Sequence, residues 1–201
     1  MKDYLKKTVE TYNKIAKIYS DYTFNLILQY HLNEFISLLP KKARVLDAGC
    51  GSGRDVAYLT EEGFDAIGID ISDGLLKEAR KRVEGKFKKM DITDMKFKDE
   101  DFDGVWSCAT LLHLKKEDVP KVLKDFNKIL KKKGVLFINV KEGEGEEVVK
   151  KKEYNDLPRL FVYYSLAEIL KLVEEAGFKV INSFTDEGPE NNWINVFAKK
   201  V

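Results

Sequence analysis

The run Asp47-Ala48-Gly49-Cys50-Gly51-Ser52-Gly53 sets a carboxylate at the end of a short apolar stretch and then a glycine at every second position. Glycine lacks a Cβ, so Gly49, Gly51 and Gly53 can reach positive φ and let a bulky ligand lie against main-chain amides. A dinucleotide loop of the G-x-G-x-x-G type needs its third glycine where Arg54 stands, one residue beyond Gly53. Asp47 departs further from that pattern, because an anion two residues before the first glycine repels a pyrophosphate. The position suits a ligand with a cationic head. Two more acids come in step, each ending a strand candidate: Asp70, 23 residues after Asp47, and Asp91, 21 residues after Asp70. A carboxylate at Asp70 offers about four lone-pair sites, enough to accept both hydroxyls of a ribose.

The loop at 47–53 resembles motif I of the class I S-adenosylmethionine-dependent methyltransferases, whose cofactor carries an amino group and a sulfonium. The Gly-Ile-Asp70-Ile71-Ser72 stretch is similar to motif II of that family. The resemblance implies S-adenosyl-L-methionine as cofactor and S-adenosyl-L-homocysteine as product. It implies that Asp47, Ala48, Gly49, Cys50 and Gly51 hold the methionine part, Asp70 and Ile71 the ribose, and Asp91 and Ile92 the adenine. The segment Phe102 to His113 resembles motif IV together with its C-terminal extension, which puts Ser107 and Cys108 along the cofactor near its sulfonium. Tyr12 to Tyr19 looks like the tyrosine-bearing cap helix of small-molecule methyltransferases, with Tyr19 leaning over the cofactor.

Histidine is the side chain most easily tuned to accept a proton near neutral pH, which makes His113 a candidate base, with a core or capping role as the alternative. Tyr163 and Tyr164 are further catalytic candidates, in a stretch that also holds Tyr154, Arg159 and Phe161. A guanidinium beside phenols could orient an anionic or aromatic acceptor. A base is optional in this chemistry, needed for a hydroxyl or carbon acid and superfluous for a thiolate or carboxylate.

These residues need a scaffold that brings strand ends together. Short apolar runs alternate with helical spacings after Gly53, the pattern of a parallel sheet with crossover helices. Strands are expected at Arg44–Ala48, Ala66–Asp70, Lys86–Met90, Phe102–Cys108, Val135–Val140, Lys179–Thr185 and Ile194–Lys199. The family resemblance implies a doubly wound, mostly parallel seven-stranded α/β sheet, order 3-2-1-4-5-7-6, with strand 7 antiparallel and helices on both faces. Ser72 and Ser165 read as helix N-caps, Pro120 as a first-turn residue, and Gly134 and Gly177 as helix ends. One domain over 1–201 is expected. It carries a helical N-terminal cap at 1–40, with Tyr12, Ile15, Ile18 and Tyr19 on one stripe and Ile27, Leu28, His31, Phe35 and Leu38 on another. Residues 141–164 are long for an α/β connection and read as a substrate lid.

A chain of 201 residues can bury roughly 70% of its unfolded surface, enough for its own core. With 35 basic and 34 acidic side chains, no overall field draws it to a polyanion or membrane, so a nucleic-acid partner is disfavoured though not excluded. The two cysteines, Cys50 and Cys108, cannot form a metal site alone and suit a reduced, cytoplasmic setting. No apolar window is long enough to span a membrane. The reading is an S-adenosylmethionine-dependent methyltransferase with a small-molecule acceptor. The alternatives are transfer to a tRNA wobble uridine, a NAD-dependent oxidoreductase, and a non-catalytic S-adenosylmethionine-binding module.

Overall fold

The computed structural model describes residues 1–201. Its strands are β1 (Arg44–Ala48), β2 (Asp65–Asp70), β3 (Lys86–Lys89), β4 (Phe102–Cys108), β5 (Leu130–Lys141), β6 (Glu146–Val149), β7 (Arg159–Val162), β8 (Phe178–Asp186) and β9 (Trp193–Lys200). The helices are α1 (Lys6–Thr23), α2 (Gln29–Ser37), α3 (Arg54–Glu61), α4 (Asp73–Arg82), α5 (Val119–Ile129) and α6 (Leu166–Glu175). Seven strands form one sheet in the order β3-β2-β1-β4-β5-β9-β8, and β6 and β7 form a separate antiparallel pair. Strands β1 to β5 run parallel, and β9 runs antiparallel to both β5 and β8. Counted along the main sheet alone, this is the expected 3-2-1-4-5-7-6 with its seventh strand reversed.

Alternation within each strand builds two cores. Leu46, Ile67, Val105, Leu136 and Ile138 face one side, where α5 and α6 supply Val122, Phe126, Ile169 and Val173. Their neighbours Val45, Ala66, Trp106, Phe137 and Phe197 face the other side, against Leu32, Phe35, Val56 and Leu59 of α2 and α3. On that second side Trp106 stacks on Phe137 at 3.9 Å between ring centroids, and Phe35 meets Trp106 edge-on at 5.3 Å. Burial on both faces is why the strands read as continuous apolar runs.

The punctuation holds in most places. Ser72 caps α4 by accepting from Leu75 N, Ser165 caps α6 by accepting from Glu168 N, and Gly177 ends α6 at φ +87°. The glycine at 134 does not close a helix. Helix α5 stops at Ile129, Lys133 takes the left-handed turn position at φ 64°, and Gly134 lies within β5. Ile18 and Ile27 are exposed, so the two N-terminal stripes are narrower than their spacing suggests, and Thr8, Thr11 and Ser20 share the buried face of α1.

Helix α1 is tied to the start of α4 by Asn13, besides the Asp21–Arg82 ion pair at the other end. Asn13 Oδ1 accepts from Ser72 Oγ and from Gly74 N, both at 2.8 Å. A Cβ on Gly74 would stand 2.7 Å from the Asn13 carbonyl oxygen, so the two helices meet with no room for a side chain there. Asn13→Ala is expected to lower stability to urea by about 1–2 kcal/mol, and Gly74→Ala by more, because it forces backbones apart. Equal stability of Gly74→Ala and the parent would contradict this packing.

Candidate cofactor cleft

A cleft of about 730 Å³ opens at the carboxyl ends of the parallel strands, the side on which open α/β sheets bind ligands. One wall is α1 with the turn after it, through Leu5, Tyr12, Tyr19, Leu26 and Leu28. The floor holds Gly49, Cys50, Gly51, Asp70, Ile71, Asp91 and Ile92, and the far side Cys108, His113, Asn139, Asp186 and Trp193. The strand-end acids at 70 and 91 thus meet at one opening, as their spacing predicts.

The three glycines do three different jobs. Gly49 has φ +92°, and a Cβ there would come within 2.1 Å of Thr110 Oγ1. Gly53, at φ +83°, is the N-cap of α3, and a Cβ would meet the Phe87 ring at 2.8 Å. Gly51 has φ +52° and a Cβ would meet nothing within 4 Å, so the open space beside it is the cleft itself. The expectation that these amides stand free for a ligand needs correction. Gly49 N and Cys50 N both donate to Ile69 O, at 2.8 and 2.9 Å, and Gly51 N donates to Asp70 Oδ2 at 2.9 Å. The glycines supply a shape, and their donors are spent holding it.

Asp70 is the clamp of that shape. Its second oxygen, Oδ1, accepts from Ser72 N at 2.8 Å, so the carboxylate bridges the β1 loop and the start of α4 with lone pairs left for the cleft. Burial raises its pKa, while the amides of Ser72, Gly51 and Ile71 pull it down. Asp91 accepts from Thr93 N at 2.9 Å and Thr93 Oγ1 at 2.8 Å through Oδ1. Its buried Oδ2 accepts no hydrogen bond and has the N-terminal ammonium of Met1 at 3.7 Å. Open space at Gly51 fits a ribose, and the Asp91 oxygen that accepts no hydrogen bond fits an adenine amino group in place of the N-terminal ammonium now 3.7 Å away.

Several predicted site residues lie elsewhere. Asp47 does not line the cleft: it is 2% exposed beneath the floor, and its Oδ2 has no hydrogen-bond partner. Ala48 and Ser107 are fully buried behind the lining. Tyr163 packs with Leu112 and Phe161, and its hydroxyl bonds Glu147. Tyr164 is fully buried in the main core, with an unpartnered hydroxyl. Neither tyrosine lines the cleft, so both are corrected from catalytic candidates to packing residues. They follow β7, where Tyr164 N donates to Lys141 O beside the end of β5.

His113 does reach the cleft, but not as a free base. Its Nδ1 stands 2.7 Å from Leu160 O, a pure acceptor, so Nδ1 carries the proton and donates it. Nε2 therefore accepts, and it takes the Tyr12 hydroxyl at 2.9 Å. Burial lowers the pKa of His113 to about 4, and Arg159 and Lys141 add to the effect, so the ring is neutral at physiological pH. Tyr12 is a site residue that sequence spacing treated only as part of a stripe. It lies 101 positions from His113, beyond any local signal. Tyr19 lines the same wall and meets Tyr12 edge-on at 5.2 Å.

Arg54 and Asp55 were also missed. Arg54 donates to Asp55 through Nε at 2.7 Å and Nη2 at 2.9 Å, and through Nη1 to Leu26 O at 2.8 Å. Trp106 Nε1 adds a third donor to Asp55 at 2.9 Å. Asp55 is thus satisfied and Asp47 is not. Desolvation first, and the Asp55 carboxylate second, raise the pKa of Asp47 well above its ordinary value, with Arg54 opposing.

Comparisons with known proteins agree with this geometry. Residues 46–138 match the family model described as a methyltransferase domain. The chain is 33% identical to phosphoethanolamine N-methyltransferase of Plasmodium falciparum over 129 residues, covering 58% of this chain and 48% of that protein. It is 34% identical to phosphoethanolamine N-methyltransferase 3 of Arabidopsis thaliana over 113 residues, covering 52% of this chain and 23% of that one. The matched segment carries the pattern of a methyltransferase domain, in keeping with the resemblance of the loop at 47–53 to the class I S-adenosylmethionine-dependent methyltransferases. The chain spans less than half the length of these two curated relatives. The fold matches the 1,6-didemethyltoxoflavin-N1-methyltransferase of Burkholderia thailandensis, whose structure holds S-adenosylhomocysteine. That match has a TM-score of 0.75 and 22% identity, and covers 96% of this chain and 85% of the other. The match of residues 46–138 to a methyltransferase domain favours a methyl donor in this cleft over the nicotinamide alternative. No helix is long and apolar enough to cross a membrane.

Because burial raises Asp47 in the native state, the folded protein holds that proton more tightly than the unfolded chain does. The penalty is absent below the ordinary value of 3.8 and grows as pH rises toward the native value. Asp47→Asn is expected to stabilise the protein by about 1–3 kcal/mol at neutral pH, with no gain near pH 3.5. Urea titrations at the two pH values check this, and unchanged stability at neutral pH contradicts it.

Proposed function

We propose that the protein transfers a methyl group from S-adenosylmethionine to the nitrogen of a small amine that also carries an anionic group, the chemical type of phosphoethanolamine. The observation that carries this reading is Arg159. The residue is 4% exposed and stands behind the cleft lining, one contact away through Tyr12; its Nε has no partner, and it packs on three rings, at 4.5 Å from Tyr154, 5.2 Å from Phe161 and 5.7 Å from Tyr12. Its Nη1 stands 3.5 Å from the Tyr12 hydroxyl, which lines the cleft. A buried cation with an uncommitted edge calls for an anion. The cleft volume supports a small acceptor, since sites for small molecules run to about 300–1,000 Å³. The names of the phosphoethanolamine methyltransferase relatives support the acceptor class.

In this reading Asp70 holds the ribose hydroxyls, Asp91 the adenine amino group, and Ile71 and Ile92 the ring faces. Asp47 complements the cofactor's cationic end from beneath the floor. When bound, S-adenosylmethionine supplies an electrophilic methyl on its sulfonium. Tyr12, pinned by His113, offers its hydroxyl oxygen to an acceptor N–H. Those contacts would aim the nitrogen lone pair of the acceptor at that methyl group, S-adenosylhomocysteine would be the leaving product, and the proton of the ammonium product would pass to solvent. A neutral His113 adds no positive charge beside the sulfonium. The expected lid at 141–164 contributes no side chain to the cleft lining; through Arg159 and Leu160 it backs Tyr12, Thr8 and His113, and α1 alone forms the cap.

Purified protein offered phosphoethanolamine is expected to yield the methylated product by mass spectrometry, with tRNA inert. Arg159→Met is expected to raise KM for this acceptor at least about tenfold while S-adenosylhomocysteine affinity changes less than about twofold. Equal losses in both would overturn the assignment of Arg159 to the acceptor. The pH profile of kcat/KM is expected to lack an inflection near 6.5, because His113 titrates near 4. A single acid limb near 6.5 that disappears in His113→Gln would contradict the positioning role.

A further inference from the structure

A chain of polar side chains, buried at His31, Asn139 and Asn195 and half-exposed at Asp186, runs along the carboxyl end of the sheet on the side away from Asp70 and Asp91. Asp186, at the end of β8, can only accept, and its Oδ2 takes His31 Nε2 at 2.7 Å and Asn195 Nδ2 at 3.0 Å. That fixes the Asn195 amide, so its Oδ1 faces β5 and accepts from Asn139 Nδ2 at 2.9 Å. The same logic fixes Asn139. With its nitrogen spent, Oδ1 faces Cys108, whose thiol reaches it weakly at 3.8 Å. Asn139 and Cys108 are register partners at the ends of β5 and β4, and both line the cleft.

We propose that Asn139 Oδ1 receives an N–H of the acceptor amine at the point of methyl transfer, and that Asn195, Asp186 and His31 are positioning residues that keep this carbonyl turned to the cleft. The inference rests on the methyltransferase reading and adds to it a residue that selects a nitrogen donor. Asn139 is 4% exposed and Asn195 is fully buried. A residue that merely filled space at 139 would need no oriented amide, and an apolar side chain would avoid the cost of burying one. Three successive donor and acceptor constraints instead leave one oxygen facing the opening, with only a thiol upon it. Asp186 also lines the cleft and makes no hydrogen bond through Oδ1, which adds a second acceptor on the same side for a nucleophile rich in N–H groups.

The probe is sinefungin, an S-adenosylmethionine analogue with an amino group on carbon in place of the methylsulfonium, which puts N–H donors at the transfer point whatever the natural acceptor is. Calorimetric titration of the full chain is expected to give sinefungin at least about tenfold tighter binding than S-adenosylhomocysteine. Asn139→Leu is expected to abolish that preference with S-adenosylhomocysteine affinity retained, and Asn139→Asp, which restores an acceptor oxygen, to recover it. Asp186→Ala leaves residue 139 intact and is expected to narrow the preference, which keeps the test decisive if Asn139→Leu does not fold. Binding of S-adenosylhomocysteine without a preference for sinefungin, or a preference that survives Asn139→Leu, overturns this inference alone. Binding of neither ligand overturns the methyl-donor reading together with it.

Discussion

One carboxylate holds the site together. Asp70 accepts Gly51 N through one oxygen and Ser72 N through the other, and so joins the loop after β1 to the start of α4. Ser72 in turn donates to Asn13, which docks α1. The glycine loop, the helix over β2 and the N-terminal wall of the cleft therefore share one electrostatic junction. The carboxylate is buried, and its amide partners offset part of the desolvation that burial imposes. A loop whose amides are already bonded keeps its form before a ligand arrives, and that preorganisation lowers the entropic cost of binding.

The two sides of the cleft differ in kind. Toward β2 and β3, acceptors face the opening: the free lone pairs of Asp70 and the Oδ2 of Asp91, which accepts no hydrogen bond. Toward β4, β5 and β8 the polar groups are chained to one another, from Cys108 through Asn139 and Asn195 to Asp186. Opposite both stands α1, whose Tyr12 is held by His113 and backed by Arg159. A sulfonium placed between these walls has a neutral imidazole beside it and carboxylates behind it.

The sheet was legible because its strands are buried on both faces, so β1, β4 and β5 appear as uninterrupted apolar runs between glycines and polar residues. The acids at 70 and 91 were legible because one ends β2 and the other stands two residues past β3, one crossover apart. Asp47 has the same spacing, yet its side chain lies under the floor, since alternation along β1 points successive residues to opposite faces of the sheet. Tyr163 and Tyr164 misled for a related reason: closeness in sequence to Arg159 says nothing about which wall a side chain joins. The Tyr12 and His113 pair was invisible, because the contact spans 101 positions and depends on how α1 docks. The bonded state of the loop amides was hidden as well, since Ile69 O and Asp70 come from the next strand.

The methyl donor is assigned to the open space beside Gly51, framed by Asp70. Asparagine tolerates a left-handed backbone better than other side-chain-bearing residues, so Gly51→Asn fills that space at a stability cost of only about 1 kcal/mol. Calorimetric titration of S-adenosylhomocysteine into the parent and into Gly51→Asn tests the assignment most directly. Clear binding to the parent and a loss of at least about tenfold in the folded variant are expected. Undiminished affinity in Gly51→Asn, or no binding to the parent, would contradict it.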